Sequence, residues 1–133
     1  MSHFKLSARS RKNLEGVHPE LVKVVERAIQ ITDVDFMVTE GVRSVARQKQ
    51  LFNAGASTTL NSRHLTGHAV DLAAWVNTSA NRGEVRWDWP LYHRIAAAMK
   101  VAANELGVSI IWGGDWKTFK DGPHFELSRK VYP

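Results

Sequence analysis

The chain has 133 residues, 44% hydrophobic and 23% charged, proportions that describe one folded domain with a single core rather than two domains or a disordered segment. No stretch approaches the roughly 20 apolar residues of a membrane span, and the opening M-S-H-F-K-L-S-A-R-S lacks the apolar centre of a secretory signal. With no cysteine, disulfides and thiolate ligands are excluded, and a formal charge of +5 favours polyanionic surroundings: nucleic acid, an anionic membrane or a cell-wall polymer.

Residues 1–17 are polar and basic, with apolar positions at Phe4, Leu6, Leu14 and Val17, and predict an arm packed on the domain. Pro19 then opens a helix, where its missing N–H costs nothing, and Leu21, Val24, Val25, Ala28 and Ile29 recur at helical spacing as a core stripe. Residues 35–39 (D-F-M-V-T) predict a short buried strand, followed by a turn at Glu40-Gly41. Ser44 is placed to cap a second helix over 45–53, stopped by Ala54-Gly55. The polar stretch 55–63 predicts a loop.

Residues 69–73 (A-V-D-L-A) predict a central strand on which Asp71 shares a face with Ala69 and Ala73, while Val70 and Leu72 point the other way. Residues 77–88 form a polar excursion. Pro90 starts a third helix, striped by Leu91, Ile95, Met99, Ala102 and Leu106 and ended by Gly107. A strand over 108–112, a turn at Gly113-Gly114, a loop and a last strand over 124–127 complete the chain, with His124 and Glu126 on one face. This order suits an α+β domain with a small sheet covered by helices.

Chemistry concentrates in S-R-H-L-T-G-H-A-V-D (62–71) and D-G-P-H-F-E (121–126). Catalytic zinc is commonly held by three protein ligands, and two histidines with one carboxylate is a recurring set, which His64, Asp71 and His124 can supply. Taken singly, each has an ordinary reading: a loop histidine, a buried acceptor and a strand histidine. An acid inside an otherwise apolar strand is nevertheless costly unless it is paired or bound to a cation. Gly67 permits close backbone approach, Ser62 can hydrogen-bond nearby groups, and Asp121 precedes His124 across the rigid Gly122-Pro123 turn, well placed for a general base. His64 and His68 stand at the i, i+4 spacing of helical zinc pairs, but Gly67 intervenes and the glutamate of that motif is missing, so His68 is read as a bystander. His3, His18 and His93 have no partner at useful spacing. Glu126 either orients a ligand or pairs with a surface lysine.

These residues resemble a known family. S-x-H-x-x-G-x-A-x-D at 62–71 with D-x-x-H at 121–124 is similar to the zinc-dependent peptidoglycan peptidases of the D-alanyl-D-alanine carboxypeptidase and L-alanyl-D-glutamate endopeptidase group, whose fold is shared with the Hedgehog signalling domain. G-V-R-S-V-A-R-Q at 41–48 resembles the arginine-bearing segment of that family, and W-G-G-D-W-K-T-F-K-D-G-P-H-F-E at 112–126 resembles its endolysin and autolysin branch. The resemblance implies a small, mostly antiparallel sheet packed with helices, and one zinc ion on His64, Asp71 and His124. It also implies Asp121 as catalytic base and Arg43 as the group that meets the oxyanion. Aspartate at 121, where the carboxypeptidase branch often has glutamate, favours the endopeptidase branch.

The expected function is hydrolysis of the L-alanyl-D-glutamate bond of the peptidoglycan stem peptide, without a covalent acyl-enzyme, since cysteine is absent and no serine sits in a G-x-S-x-G setting. Gln48, Asp115, Trp112 and Trp116 are expected near the cleft, whereas Trp87 and Trp89 are read as a lid on the core rather than a sugar platform. A single peptidase domain over 1–133 is expected, monomeric and without a separate cell-wall-binding domain. It would be made in the host cytoplasm and act on the wall after release, through a holin if phage-encoded. Two alternatives stand beside this: a D-alanyl-D-alanine carboxypeptidase on the same scaffold, and a non-catalytic zinc-stabilised binding module. Nucleic-acid binding rests on charge alone and is not expected, because the basic residues are dispersed without interleaved aromatics.

Overall fold

A computed structural model describes residues 4–57, 59–60, 62–77 and 83–133. Among these residues, four helices and five strands follow in the order α1 (Ala8–Asn13), α2 (Pro19–Ile31), β1 (Phe36–Glu40), α3 (Val45–Asn53), β2 (Ala69–Asn77), β3 (Gly83–Arg86), α4 (Trp89–Leu106), β4 (Ile110–Trp112) and β5 (His124–Leu127). Short 3-10 turns at Arg63–Thr66 and Gly113–Asp115 precede β2 and follow β4. Every strand pairing is antiparallel, in the order β1-β2-β5-β4, with β3 on the far half of β2. The expected α+β architecture is what forms.

The two long helices start and stop where side-chain chemistry says they should. Pro19 occupies the first turn of α2, and His18 Nδ1 accepts from the Glu20 N–H at 3.1 Å, satisfying one of the donors a helix start leaves free. Gly107 ends α4 in the left-handed conformation at φ 68°, which glycine adopts without steric cost. Leu21, Val24, Val25, Ala28 and Ile29 of α2 and Ile95, Met99 and Ala102 of α4 are buried together. They cover one face of the sheet, where Phe36, Val38, Val70, Leu72, Phe125 and Leu127 point inward. Each such side chain contributes about 1.5–3 kcal/mol on burial, so this layer is the main source of stability. Leu106, expected in the stripe of α4, is exposed at the last turn of the helix.

The expected N-terminal arm contains α1, capped by Ser7, whose side chain accepts from the Ser10 N–H. Its packing has a purpose in the sheet, because β1 is an edge strand. Ser10 Oγ accepts the Val38 N–H at 3.0 Å and Asn13 Nδ2 donates to the Val38 carbonyl at 2.8 Å, closing an edge that would otherwise invite another strand. The polar excursion contains β3, tied to the core by Tyr92, whose hydroxyl donates to the Arg86 carbonyl and accepts from the Ala74 N–H. Residues 78–82 of that excursion, and His3, lie outside the described residues.

Candidate metal centre and cleft

The helix-free face of the sheet carries the polar residues, and strand register lines three of them up. In β2, Asp71 is paired with Glu40 of β1 on one side and with His124 of β5 on the other. Glu40 reaches this row through a bulge: the register shifts between Val38 and Glu40, so that β1 spends two residues opposite one. His64 arrives from the 3-10 turn, which Ser62 caps by accepting the His64 N–H at 3.2 Å. That turn ends at Gly67, φ 76°, where a Cβ would stand 2.6 Å from the Gly16 carbonyl oxygen. Glycine is therefore required there both for its backbone angle and for the approach of the N-terminal segment.

His64, Asp71 and His124 converge, with one potential ligand atom from each lying within 4.8 Å of the others. Asp71 Oδ1 lies 3.2 Å from His64 Nε2 and 3.3 Å from His124 Nδ1. The outer nitrogen of each ring is already engaged. His64 Nδ1 donates to the Gly41 carbonyl at 2.8 Å, and His124 Nε2 lies 2.9 Å from Glu126 Oε1. A carbonyl only accepts, so the proton of a neutral His64 sits on Nδ1 and leaves the Nε2 lone pair facing Asp71. Two imidazoles, each held from behind, and one carboxylate fit a divalent cation of the zinc class.

The electrostatics point the same way. Burial works to raise the Asp71 carboxyl, but its close contacts with the His124 and His64 rings hold it far below the usual carboxylate range. Burial likewise opposes charge on His124, yet its bonds to Asp71 and Glu126 push it up to about 9. In the metal-free protein a proton on His124 thus stands in for a cation between two carboxylates. Glu126 is drawn down by the same contact, against its own burial.

Around the triad opens a cleft of about 570 Å³ whose walls include Glu40, Arg43, Ser62, Trp116, Phe119 and Asp121. Arg43 is no loose surface arginine: its side chain is almost fully buried and gripped by Glu40 at 2.6 and 2.9 Å and by Gln48 Oε1 at 2.7 Å. Its Nη2 lies 3.8 Å from Asp71. Despite the cost of burial, Glu40, Asp71 and Asp121 keep the guanidinium firmly charged. Asp121 is held over the cleft by the turn after β4, its N–H donating to the Gly113 carbonyl at 3.0 Å. A Cβ on Gly113 would meet the Asp121 carbonyl oxygen at 2.4 Å, so glycine is needed for that closure too. Burial, and next the negative charge of Asp71, raise the Asp121 carboxyl above its ordinary value, making it a better proton acceptor than a free aspartate.

The other expected cleft residues sort differently. Gln48 is buried behind Arg43, and its amide also donates to Ser57 Oγ and the Thr59 carbonyl, so it joins the guanidinium to the neighbouring loop. Trp116 lines the cleft with its ring 5.1 Å from that of His124. Trp112 is instead a core residue, its indole N–H donating to the Gly122 carbonyl at 2.7 Å. Asp115 is exposed and ion-paired with Lys100 of α4 at 2.8 Å. His68 contacts Thr66 and the His18 ring, apart from the triad. Sequence reasoning missed Glu40, treated as a turn residue; an acid three positions before Arg43 across a glycine was the available signal.

One family and three individual proteins are similar to this chain. A family profile described as phage L-alanyl-D-glutamate peptidase matches residues 1–132. The L-alanyl-D-glutamate peptidase of Escherichia phage T5 is 35% identical over 133 residues, spanning 97% of this chain and 93% of that protein. The peptidoglycan L-alanyl-D-glutamate endopeptidase CwlK of Bacillus subtilis is 30% identical over 106 residues, 71% of this chain and 61% of CwlK. The crystal structure of the L-Ala D-Glu endopeptidase ChiX from Serratia marcescens is similar with a TM-score of 0.87 at 49% identity, covering 98% of this chain and 96% of that one.

Proposed function

The chain belongs to the phage L-alanyl-D-glutamate peptidase family, and we propose that it hydrolyses the bond between L-alanine and D-glutamate of the peptidoglycan stem peptide, with one zinc ion held by His64, Asp71 and His124. The observation that carries the mechanism is the meeting of those three donors with Asp121 and Arg43 in one cleft. A divalent cation there supplies Lewis acidity, polarising the scissile carbonyl and acidifying water.

The protein's own groups do the rest. Asp121 takes a proton from the attacking water on its carboxylate and delivers it to the departing amine of D-glutamate as the C–N bond breaks. Arg43, fixed by Glu40 and Gln48 before substrate arrives, offers N–H donors to the carbonyl oxygen as it gains charge, so little reorganisation is needed at that moment. Glu126 and the Gly41 carbonyl hold the two rings in the orientation a ligand requires. Among the described residues no helix is long and apolar enough to cross a membrane. The reading extends to one monomeric peptidase domain that reaches the wall from the cytoplasm, by way of a holin if phage-encoded.

The test is a product map of purified sacculi by mass spectrometry, with and without chelator. Cleavage at the proposed bond leaves disaccharide bearing lactoyl-L-alanine and frees peptides that begin with D-glutamate. Release of D-alanine alone would instead identify a carboxypeptidase. Wall lysis that survives Asp121→Ala, with unfolding on metal removal, would assign the ion a purely structural role.

A further inference from the structure

A second hollow of about 180 Å³ adjoins the cleft, and Lys120 and Asp121 line both. Its remaining wall is aromatic: Trp87, Trp89 and Tyr92, with Gly122 and Pro123 as floor. Trp87 lies parallel to Tyr92, with 2° between the planes and 6.0 Å between centroids, yet is 63% exposed, so one indole face is backed by the core and the other is open. Trp89 is 44% exposed and braced edge-on by Trp112. Both tryptophans are thus backed by other aromatic rings and leave apolar surface open beside the cleft.

The substrate class says what belongs there. In the proposed reaction the acyl side of the scissile bond is L-alanine, itself joined through a lactoyl group to an amino sugar. One residue plus one lactoyl unit spans about 7 Å, so a sugar ring must lie that close to the cation-binding triad. Among the described residues, this hollow shares Lys120 and Asp121 with the cleft and offers flat apolar surface beside it. A pyranose presents weakly positive C–H bonds on its face, which pack on the negative face of an indole, and the Lys120 ammonium can donate to an acetamido carbonyl at the rim.

We propose that Trp87, Trp89 and Lys120 form a glycan subsite that seats the muramyl sugar of the murein strand. The proposal rests on the hydrolase reading above and deepens it: the enzyme selects stem peptides still attached to glycan. The test compares the metal-loaded full chain with Trp87→Ala and Trp87→Tyr on two substrates, a disaccharide-bearing muropeptide and the same peptide carrying N-acetyl in place of the sugar. Trp87→Ala should lower the ratio of kcat/KM on the two substrates about tenfold, mainly through KM, and Trp87→Tyr should recover most of it. An equal loss on both substrates, or no loss on either, would overturn the subsite. A second measurement needs no catalysis: the disaccharide-lactoyl-L-alanine product should quench tryptophan fluorescence of the wild type, and a flat titration would overturn the proposal. Should the wild type cut neither substrate while that quenching persists and disappears in Trp87→Ala, the hydrolase reading fails and the sugar site stands.

Discussion

Glu126 Oε1 lies 2.9 Å from His124 Nε2, on the same face of β5 and behind the ring as seen from the cleft. The contact turns Nδ1 of that ring toward Asp71 and makes it a stronger donor. Removing the carboxylate by Glu126→Ala should therefore weaken divalent-metal affinity about 10–100-fold while leaving the triad residues intact. Competition against a chromophoric chelator measures this directly, and unchanged affinity would reduce Glu126 to a structural acid.

Asp121→Asn keeps the size of the side chain and removes its basicity. Turnover should fall about 10²–10⁴-fold, the usual share of a positioned acid-base group, with metal affinity unchanged within error. Parallel assays of kcat and chelator competition separate this from loss of the cation, which would lower both.

Arg43→Lys retains the charge but not the fork that engages Glu40 and Gln48 together. The ammonium should sample several positions, and kcat should drop about 10²-fold with little change in KM, the signature of an interaction made mainly in the transition state. Steady-state kinetics on a soluble muropeptide decide the matter; a rise in KM alone would make Arg43 a substrate-binding group.

Metal loading should be coupled to pH. His124 is protonated in the metal-free protein up to about pH 9, so binding of the cation must displace that proton. Apparent affinity should rise about tenfold per pH unit through the neutral range and level off near pH 9, and calorimetry in buffers of different ionisation enthalpy should register about one proton released. Stability of the metal-free form runs the other way. A raised folded-state pKa contributes fully below the unfolded value near 6.5 and is lost as pH climbs through about 9, so its Tm should fall across that window. Asp71, depressed instead, contributes above about pH 4 and loses its effect only in acid.

What was readable beforehand follows from the range of the forces involved. The stripe of α2 and the bounds of α3 rest on neighbours within a turn or two, on Pro19 and on the cap at Ser44, so they are visible in the chain itself. His64, Asp71 and His124 were marked by one costly acid in an apolar strand and by a motif, and the fold brings them together. The short α1 escaped because its six residues have weak periodicity and are held by side chains bonded to a distant strand. β3 escaped because G-E-V-R is a polar edge strand that depends on Tyr92, six residues beyond Arg86. Trp112 and Asp115 lie next to the Gly113-Gly114 turn in sequence, but the turn sends one into the core and the other to α4. Glu40 was hidden by register, a property of two strands at once.

That bulge in β1 carries a lesson for anyone who would re-engineer the scaffold. Were the strand ironed flat with its residues unchanged, Thr39 would come to rest opposite Asp71 and Glu40 would swing toward the oily side, taking with it the clamp on Arg43. A tidier ladder would press an unpaired carboxylate against the core and blunt the tool as well, and the apparent flaw in the weave is what sets the charge pattern of the working surface.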